Sequence, residues 1–348
     1  ITVKVKPPPK GVPLEHRSFK RFAILGGDGV FGTHMAKFLL GLPNTERVVS
    51  VGRNQRKPPV YSLNVGLNDE RFAYYQAHMV HEHDIFMRIL GDEQPECIIN
   101  FAALAYATSW NDSYRYYDSN VVSLAHITED IRDRPWFRHW MQVGSSEVYG
   151  PATDGPCAEG GPINPTSPYA VSKLAGDLHL KTYWEGAGFP NNVIRPSNAY
   201  GPGQQLYRVM PRAAYCALTG ERFPLEGGGV AEKSFIHASD LARAIYLIAT
   251  QGRLGHIYNA GPASAVSIRK IVQLIAESAG VEMRSFADEV PGRATEDAKY
   301  WLDSTKIESE LGWRPHIALE EGAREMVEWA KANLVALEQQ PRQYLLRS

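Results

Sequence analysis

Tyr169 and Lys173 have the residue types and spacing that could do chemistry. In a helix, positions four apart share a face, so Tyr169-Ala-Val-Ser-Lys173 would set a phenol beside an ammonium. A neighbouring cation favours the phenolate and lets it take a proton near neutral pH. A free tyrosine, titrating near ~10, would be a poor base there. The lead-in Asn164-Pro165-Thr166-Ser167-Pro168 is a helix start, with Ser167 suited to the cap and Pro168 to the first helical position. Tyrosine and lysine are also common on helix surfaces, so the pair needs support from the elements that would position it.

Those elements begin with Arg21-Phe-Ala-Ile-Leu25, a buried strand. It runs into Gly26-Gly27-Asp28-Gly29-Val30-Phe31-Gly32 and then an apolar-periodic helix, Thr33 to Leu40, ended by Gly41. Glycines at 26, 29 and 32 permit a tight turn and let the backbone approach a diphosphate, with the helix N-terminus facing its charge. The spacing predicts a dinucleotide cradle. The next strand, Arg47 to Val51, ends in Gly52-Arg53-Asn54, with no acid to hold a ribose 2′-hydroxyl. Arg53, Arg56 and Lys57 favour NADP over NAD, although solvated loop charges would look the same.

Further strands are expected at 72–75, 96–101, 138–143 and 192–195, and helices at 83–90 and 112–130. Gly144-Ser145-Ser146-Glu147 hangs from the end of the fifth strand. Ligands in open α/β sheets bind at the carboxyl ends of strands, so this cluster should face the same crevice as the glycine loop and the Tyr169 helix. Beyond 196 the alternation loosens into short strands at 222–225, 234–237 and 257–259. Helices are expected there at about 208–219, 239–250, 267–279 and 319–336. The fold class is α/β: a Rossmann-type doubly wound parallel sheet with a smaller α/β substrate-binding domain. Residues 21–195 plus about 230–260 form the first domain, 196–229 plus about 261–340 the second, and 1–20, rich in Pro and Lys, an extended arm.

Composition narrows the function class. The 348 residues carry 37 basic and 38 acidic side chains, a net charge of −1 that argues against a nucleic-acid or membrane surface. The longest apolar stretch, around Cys97 to Ala107, is too short to span a bilayer, and the N-terminus lacks a signal-type apolar core. Three well-separated cysteines fit a reducing cytoplasm and no disulfide framework. His81-Glu82-His83-Asp84 has no supporting ligand cluster, so no metal is expected.

The ordered set of motifs resembles the extended short-chain dehydrogenase/reductases that act on nucleotide sugars. It comprises the glycine loop, Asn100-Phe-Ala-Ala103, Ser145-Ser-Glu-Val-Tyr149, Tyr169/Lys173, Arg195-Pro-Ser-Asn-Ala-Tyr-Gly-Pro202, Lys233-Ser-Phe-Ile-His237, Asp240 and Leu311-Gly-Trp-Arg-Pro315. The likeness spans roughly residues 20–335 and is greatest to the nucleotide-sugar 4,6-dehydratases. It implies a tightly bound, recycled NADP or NAD held by Gly26, Gly29, Val30, Phe31, Gly32, Arg53, His78, Met79, Ala102, Tyr169, Lys173 and Arg195. Three positions depart from the pattern: Ser145 replaces a threonine, His78 an adenine-holding acid and Lys233 an arginine.

The same resemblance implies a reaction. Tyr169 would deprotonate O4 of a nucleotide hexose, with Lys173 lowering its pKa and Ser145 and Ser146 beside it. Glu147 would take the C5 proton and assist loss of the C6 hydroxyl. Asn198, Arg212, Lys233 and Arg293 are candidates for the substrate diphosphate and sugar. An epimerase, a 4-keto reductase or a UDP-glucuronate-type decarboxylase would share Tyr169 and Lys173, and a non-catalytic NADP sensor would share the fold. Helices 112–130 and 168–186 are expected to pair two copies as a four-helix bundle.

Overall fold

The computed structural model describes residues 16–105, 112–153, 155–292 and 299–342. Its centre is a parallel sheet containing β1 (Arg21–Leu25), β2 (Arg47–Gly52), β3 (Phe72–Gln76), β4 (Cys97–Asn100), β5 (His139–Val143), β6 (Asn191–Pro196) and the strand Ile257–Ala260. The order across the sheet is 257–260, β6, β5, β4, β1, β2, β3. The order in which strands are added therefore reverses between β1 and β4, the switch point at whose carboxyl ends such sheets open a crevice.

Burial on both faces explains the near-continuous apolar runs of these strands. Along β1, Phe22 and Ile24 join Met35, Leu39, Ile245 and Ile248 on one face. Ala23 and Leu25 join Leu124, Ile127 and Leu180 on the other. That is the two-residue period of a strand. The helices Val30–Leu40 and Ala238–Gln251 supply the first layer. Ser123–Ile131 and Pro168–Ala187 supply the second.

A separate apolar cluster gathers the helices Val209–Thr219, Ile268–Ala279 and Leu319–Ala332 around Tyr200 and Phe286. Leu311-Gly-Trp-Arg-Pro315 is a structural clasp. The Trp313 indole donates to Asp240 O at 3.2 Å, and the Asp240 carboxylate accepts from the backbones of His316 and Ile317 at 2.9 Å each. Of the arm expected at 1–20, the described residues 16–20 pack on the body. Phe19 is buried, and the Arg17 guanidinium donates to Ala249 O at 3.0 Å.

Two helices differ from their expected form. The one expected at 112–130 runs as Tyr114–Tyr117, a π-turn at Asp118–Val122, and Ser123–Ile131. The extra residue turns Asn120 inward, where its side chain accepts from Leu104 N at 3.0 Å and donates to Ser172 Oγ at 2.9 Å. The helix expected at 319–336 breaks at Asn333, whose side-chain amide donates back to Trp329 O at 2.8 Å.

Candidate active site

The cradle is built from backbone. Gly26 adopts φ +72°, and an added Cβ there would lie 2.9 Å from Ala102 N. At Gly32 a Cβ would lie 2.6 Å from Gly27 Cα, so the first turn of the Val30–Leu40 helix can approach the loop only without a side chain. Val30 and Phe31 begin that helix, whose leading N–H groups have no partner within it. Ala102 lies at the carboxyl end of β4, its N–H donating to Asn100 Oδ1 at 3.0 Å. A glycine-lined turn opening onto a helix N-terminus at the switch point fits a dinucleotide diphosphate. Asp28, the acid within the loop, accepts from Lys57 N at 2.8 Å, and the Lys57 ammonium donates to Asp28 O at 2.7 Å.

The catalytic candidates converge on one place. Ser167 caps its helix by accepting from Ala170 N at 3.1 Å, with Pro168 in the first turn. That start places Tyr169 and Lys173 one turn apart and buried. The Ser145 hydroxyl and the Glu147 carboxylate both lie near enough to the Tyr169 phenol to act on it, the first lowering its pKa and the second raising it. Ser145 also caps the short turn Ser146–Tyr149, accepting from Glu147 N at 3.2 Å. Ser146 opens the same turn, half-buried.

The electrostatics of this site differ from the expectation. Burial pushes the Tyr169 phenol well above its ordinary range, and Glu147 pushes it further; Ser145 and Arg208 oppose them. Burial pulls Lys173 down to about 8. Its ammonium donates to Val143 O at 2.6 Å.

A family profile described as GDP-mannose 4,6 dehydratase matches residues 23–326. The chain belongs to this family. A dTDP-glucose 4,6-dehydratase of Streptomyces niveus is 30% identical over 319 residues, covering 90% of this chain and 93% of that protein. The dTDP-D-glucose 4,6-dehydratase of Homo sapiens is 28% identical over 321 residues, covering 90% and 91%. A crystal structure of a dTDP-glucose 4,6-dehydratase double mutant from Streptomyces venezuelae with NAD bound matches at a TM-score of 0.83 and 27% identity, over 91% of this chain and 99% of that one. These findings bear out the extended short-chain dehydrogenase/reductase reading and the Rossmann-type fold.

Within this family member, several expected residues sit elsewhere than the cleft. Arg195 was expected against the cofactor, but its side chain is 3% exposed and its Nε donates to Asp177 at 2.9 Å. Of the three cations read as a 2′-phosphate site, Arg56 stacks on Phe72 at 5.1 Å and Lys57 is tied to Asp28. Arg53 lines an open cavity of about 120 Å³ with His78, His81, Leu104 and Arg115. His78 stacks on His81 at 4.4 Å, and its Nδ1 accepts from Val80 N at 3.2 Å, so a neutral ring carries its proton on Nε2. Met79 follows it, half-buried. His83 is paired to Asp130 at 2.7 Å, and among the described residues no group of His, Cys, Asp or Glu is placed to hold a metal.

On the substrate side, Asn198 is exposed, and its N–H donates to Ser234 O at 3.0 Å, next to Lys233. Arg212 lies in the helix Val209–Thr219, and Arg293 falls outside the described residues. Sequence reasoning missed Asn120 and Arg208. Arg208 stands one turn before Arg212, and its charge reaches Tyr169. Two arginines four apart at the start of the helix after Pro202 were the available signal.

Proposed function

We propose that the protein is a nucleotide-sugar 4,6-dehydratase that converts an NDP-hexose to the NDP-4-keto-6-deoxy sugar. The observation that carries this reading is Glu147. It sits on the turn that Ser145 caps, close enough for its charge to act on the Tyr169 phenol. Simple alcohol oxidation needs no such carboxylate; elimination across C5–C6 does.

In this reading Ser145 and Tyr169 hold the substrate O4, and Tyr169 accepts its proton. Lys173, anchored on Val143 O, holds the cofactor ribose. Glu147 removes the C5 proton, made acidic by the neighbouring ketone, and assists departure of the C6 hydroxyl. Ser146 borders that hydroxyl. A nicotinamide held there would supply the hydride acceptor for C4 and the hydride donor for C6. Gly26, Gly29, Val30, Phe31, Gly32 and Ala102 would cradle it, with His78 and Met79 at the adenosine end. NAD is the cofactor that the Streptomyces venezuelae structure supports, and Arg53 is the cation left to meet a 2′-phosphate were NADP used. Asn198, Arg208, Arg212 and Lys233 are the proposed donors to the substrate diphosphate and sugar.

Tyr114, Val122 and Leu178 are exposed apolar residues on the helices Tyr114–Tyr117, Ser123–Ile131 and Pro168–Ala187 or the turn between them, and support a homodimer through these helices. No helix among the described residues is long and apolar enough to cross a membrane, and a cytoplasmic site is part of this proposal. Incubation with a panel of nucleotide hexoses tests the function. A 4-keto-6-deoxy product is expected, and carbon dioxide release or net cofactor consumption would overturn the assignment.

A further inference from the structure

Beneath the cleft runs a chain of buried polar groups that the steps above do not use. Asp177 lies one turn after Lys173 on the same helix, and its side chain accepts from Arg195 Nε at 2.9 Å, with both residues 3% exposed. Arg195 donates from its second nitrogen to the Tyr149 phenol oxygen at 2.9 Å and lies over that ring at 4.9 Å. The Tyr149 hydroxyl donates to Asn259 Oδ1 at 2.8 Å. Asn259 in turn donates to Cys157 O at 2.9 Å. The chain thus joins the catalytic helix, β6, the turn after β5 and the strand Ile257–Ala260.

Such complete burial of an ion pair is a weak source of stability, because desolvation offsets the attraction. What this chain does supply is a fixed geometry. Tyr149 is two residues past Glu147 in the same short turn. Asp177 is one turn past Lys173. The Tyr169 helix has other anchors: the Ser167 cap, the Asn120–Ser172 bond and the Lys173 bond to Val143 O. The Glu147 turn is tied through its backbone and by packing: Val148 O accepts from Asn164 N at 3.0 Å, and Val148 and Tyr149 pack with Leu174. Its backbone is held by the Ser145 cap at 3.2 Å and by Gly150 N donating to Glu147 O at 3.2 Å.

We propose that Tyr149, Arg195 and Asp177 form a strut that sets the Glu147 turn against the Tyr169 helix, making them positioning residues for the elimination half of the reaction. The inference rests on the dehydratase reading. Loss of the strut displaces Glu147 while the phenol and ammonium keep their own supports.

The variant Tyr149→Phe removes one oxygen from the strut. Oxidation at C4 is read in a single turnover from nicotinamide absorbance. Proton removal is read separately, as solvent deuterium entering C5 of the sugar by mass spectrometry. The expected result is C4 oxidation within about twofold of wild type, while deuterium entry and product formation fall by ~10–100-fold, the scale of an ångström-sized misplacement. Arg195→Lys keeps the charge opposite Asp177 but loses the fork to Tyr149, and should show the same selective deficit; it decides the matter if the first variant fails to fold. An equal loss in both halves, or unchanged deuterium entry, overturns the strut. Wild-type turnover of nucleotide hexoses is read in the same assay, so failure of the dehydratase reading is seen apart from failure of the strut.

Discussion

The two walls of the cleft are held in different ways. Around the cradle and the Tyr169 helix, position is fixed by backbone: a left-handed Gly26, a Gly32 with no room for a Cβ, a capped helix and a lysine bound to a carbonyl. On the substrate side, Arg208, Arg212 and Lys233 are long side chains on a helix start and a two-residue strand. The first arrangement allows few residue types at each position. The second allows many, since a cation on a flexible stem can reach a phosphate from several places. In the proposed function, chemistry is thus built into the rigid wall and substrate choice into the adaptable one.

The sharpest test of the rigid wall is Tyr169→Phe. It removes the proposed proton acceptor and should lower kcat by ~10²–10⁴, with dinucleotide binding retained in a fluorescence titration. Near wild-type turnover would show that the buried phenol, held high by its surroundings, is not the base.

Legibility in the sequence followed the same division. The glycine loop, the strand ends and the cap at Ser167 were readable because each answers a local backbone requirement. So was the convergence of Ser145, Glu147 and Tyr169, because strand polarity puts them at one edge of the sheet. The fate of Arg195 was not readable: its partner Asp177 lies on another element, and no local pattern marks a buried pair. The π-turn at Asn120 was hidden because an extra helical residue leaves the apolar period almost intact. The tie of Lys173 was hidden as well, since the carbonyl it binds belongs to Val143, thirty residues away.

On the adaptable wall, Arg208→Ala should raise KM for the nucleotide sugar roughly tenfold, the worth of one charged hydrogen bond to a phosphate, and leave dinucleotide affinity unchanged. A fall in kcat at constant KM would move Arg208 to the chemical side of the comparison. Its charge opposes the upward push on Tyr169, so such a result would have a physical cause.

Lys173 provides a pH test of how rigid its wall is. Folding lowers its pKa from 10.5 to about 8, so between those values the unfolded chain binds more protons than the folded one. Stability contributed through this group must then rise with pH across that window, by up to about 1.4 kcal/mol per pH unit. Denaturant unfolding of wild type and Lys173→Met, without added dinucleotide, isolates the effect. The difference between the two should shift in favour of wild type from pH 8 upward, and a flat difference would mean that the ammonium is hydrated rather than buried.

The smallest effect is expected at Ser167→Ala. Losing the bond to Ala170 N should cost about 1 kcal/mol of stability. Turnover should change far less, because the helix remains held at Ser172 by Asn120 and at Lys173 by Val143. Melting temperature and kcat measured on one preparation separate the two. If kcat fell tenfold while the melting temperature barely moved, the cap would be what aims Tyr169, and the rigid wall would owe its geometry to one hydroxyl rather than to several independent ties.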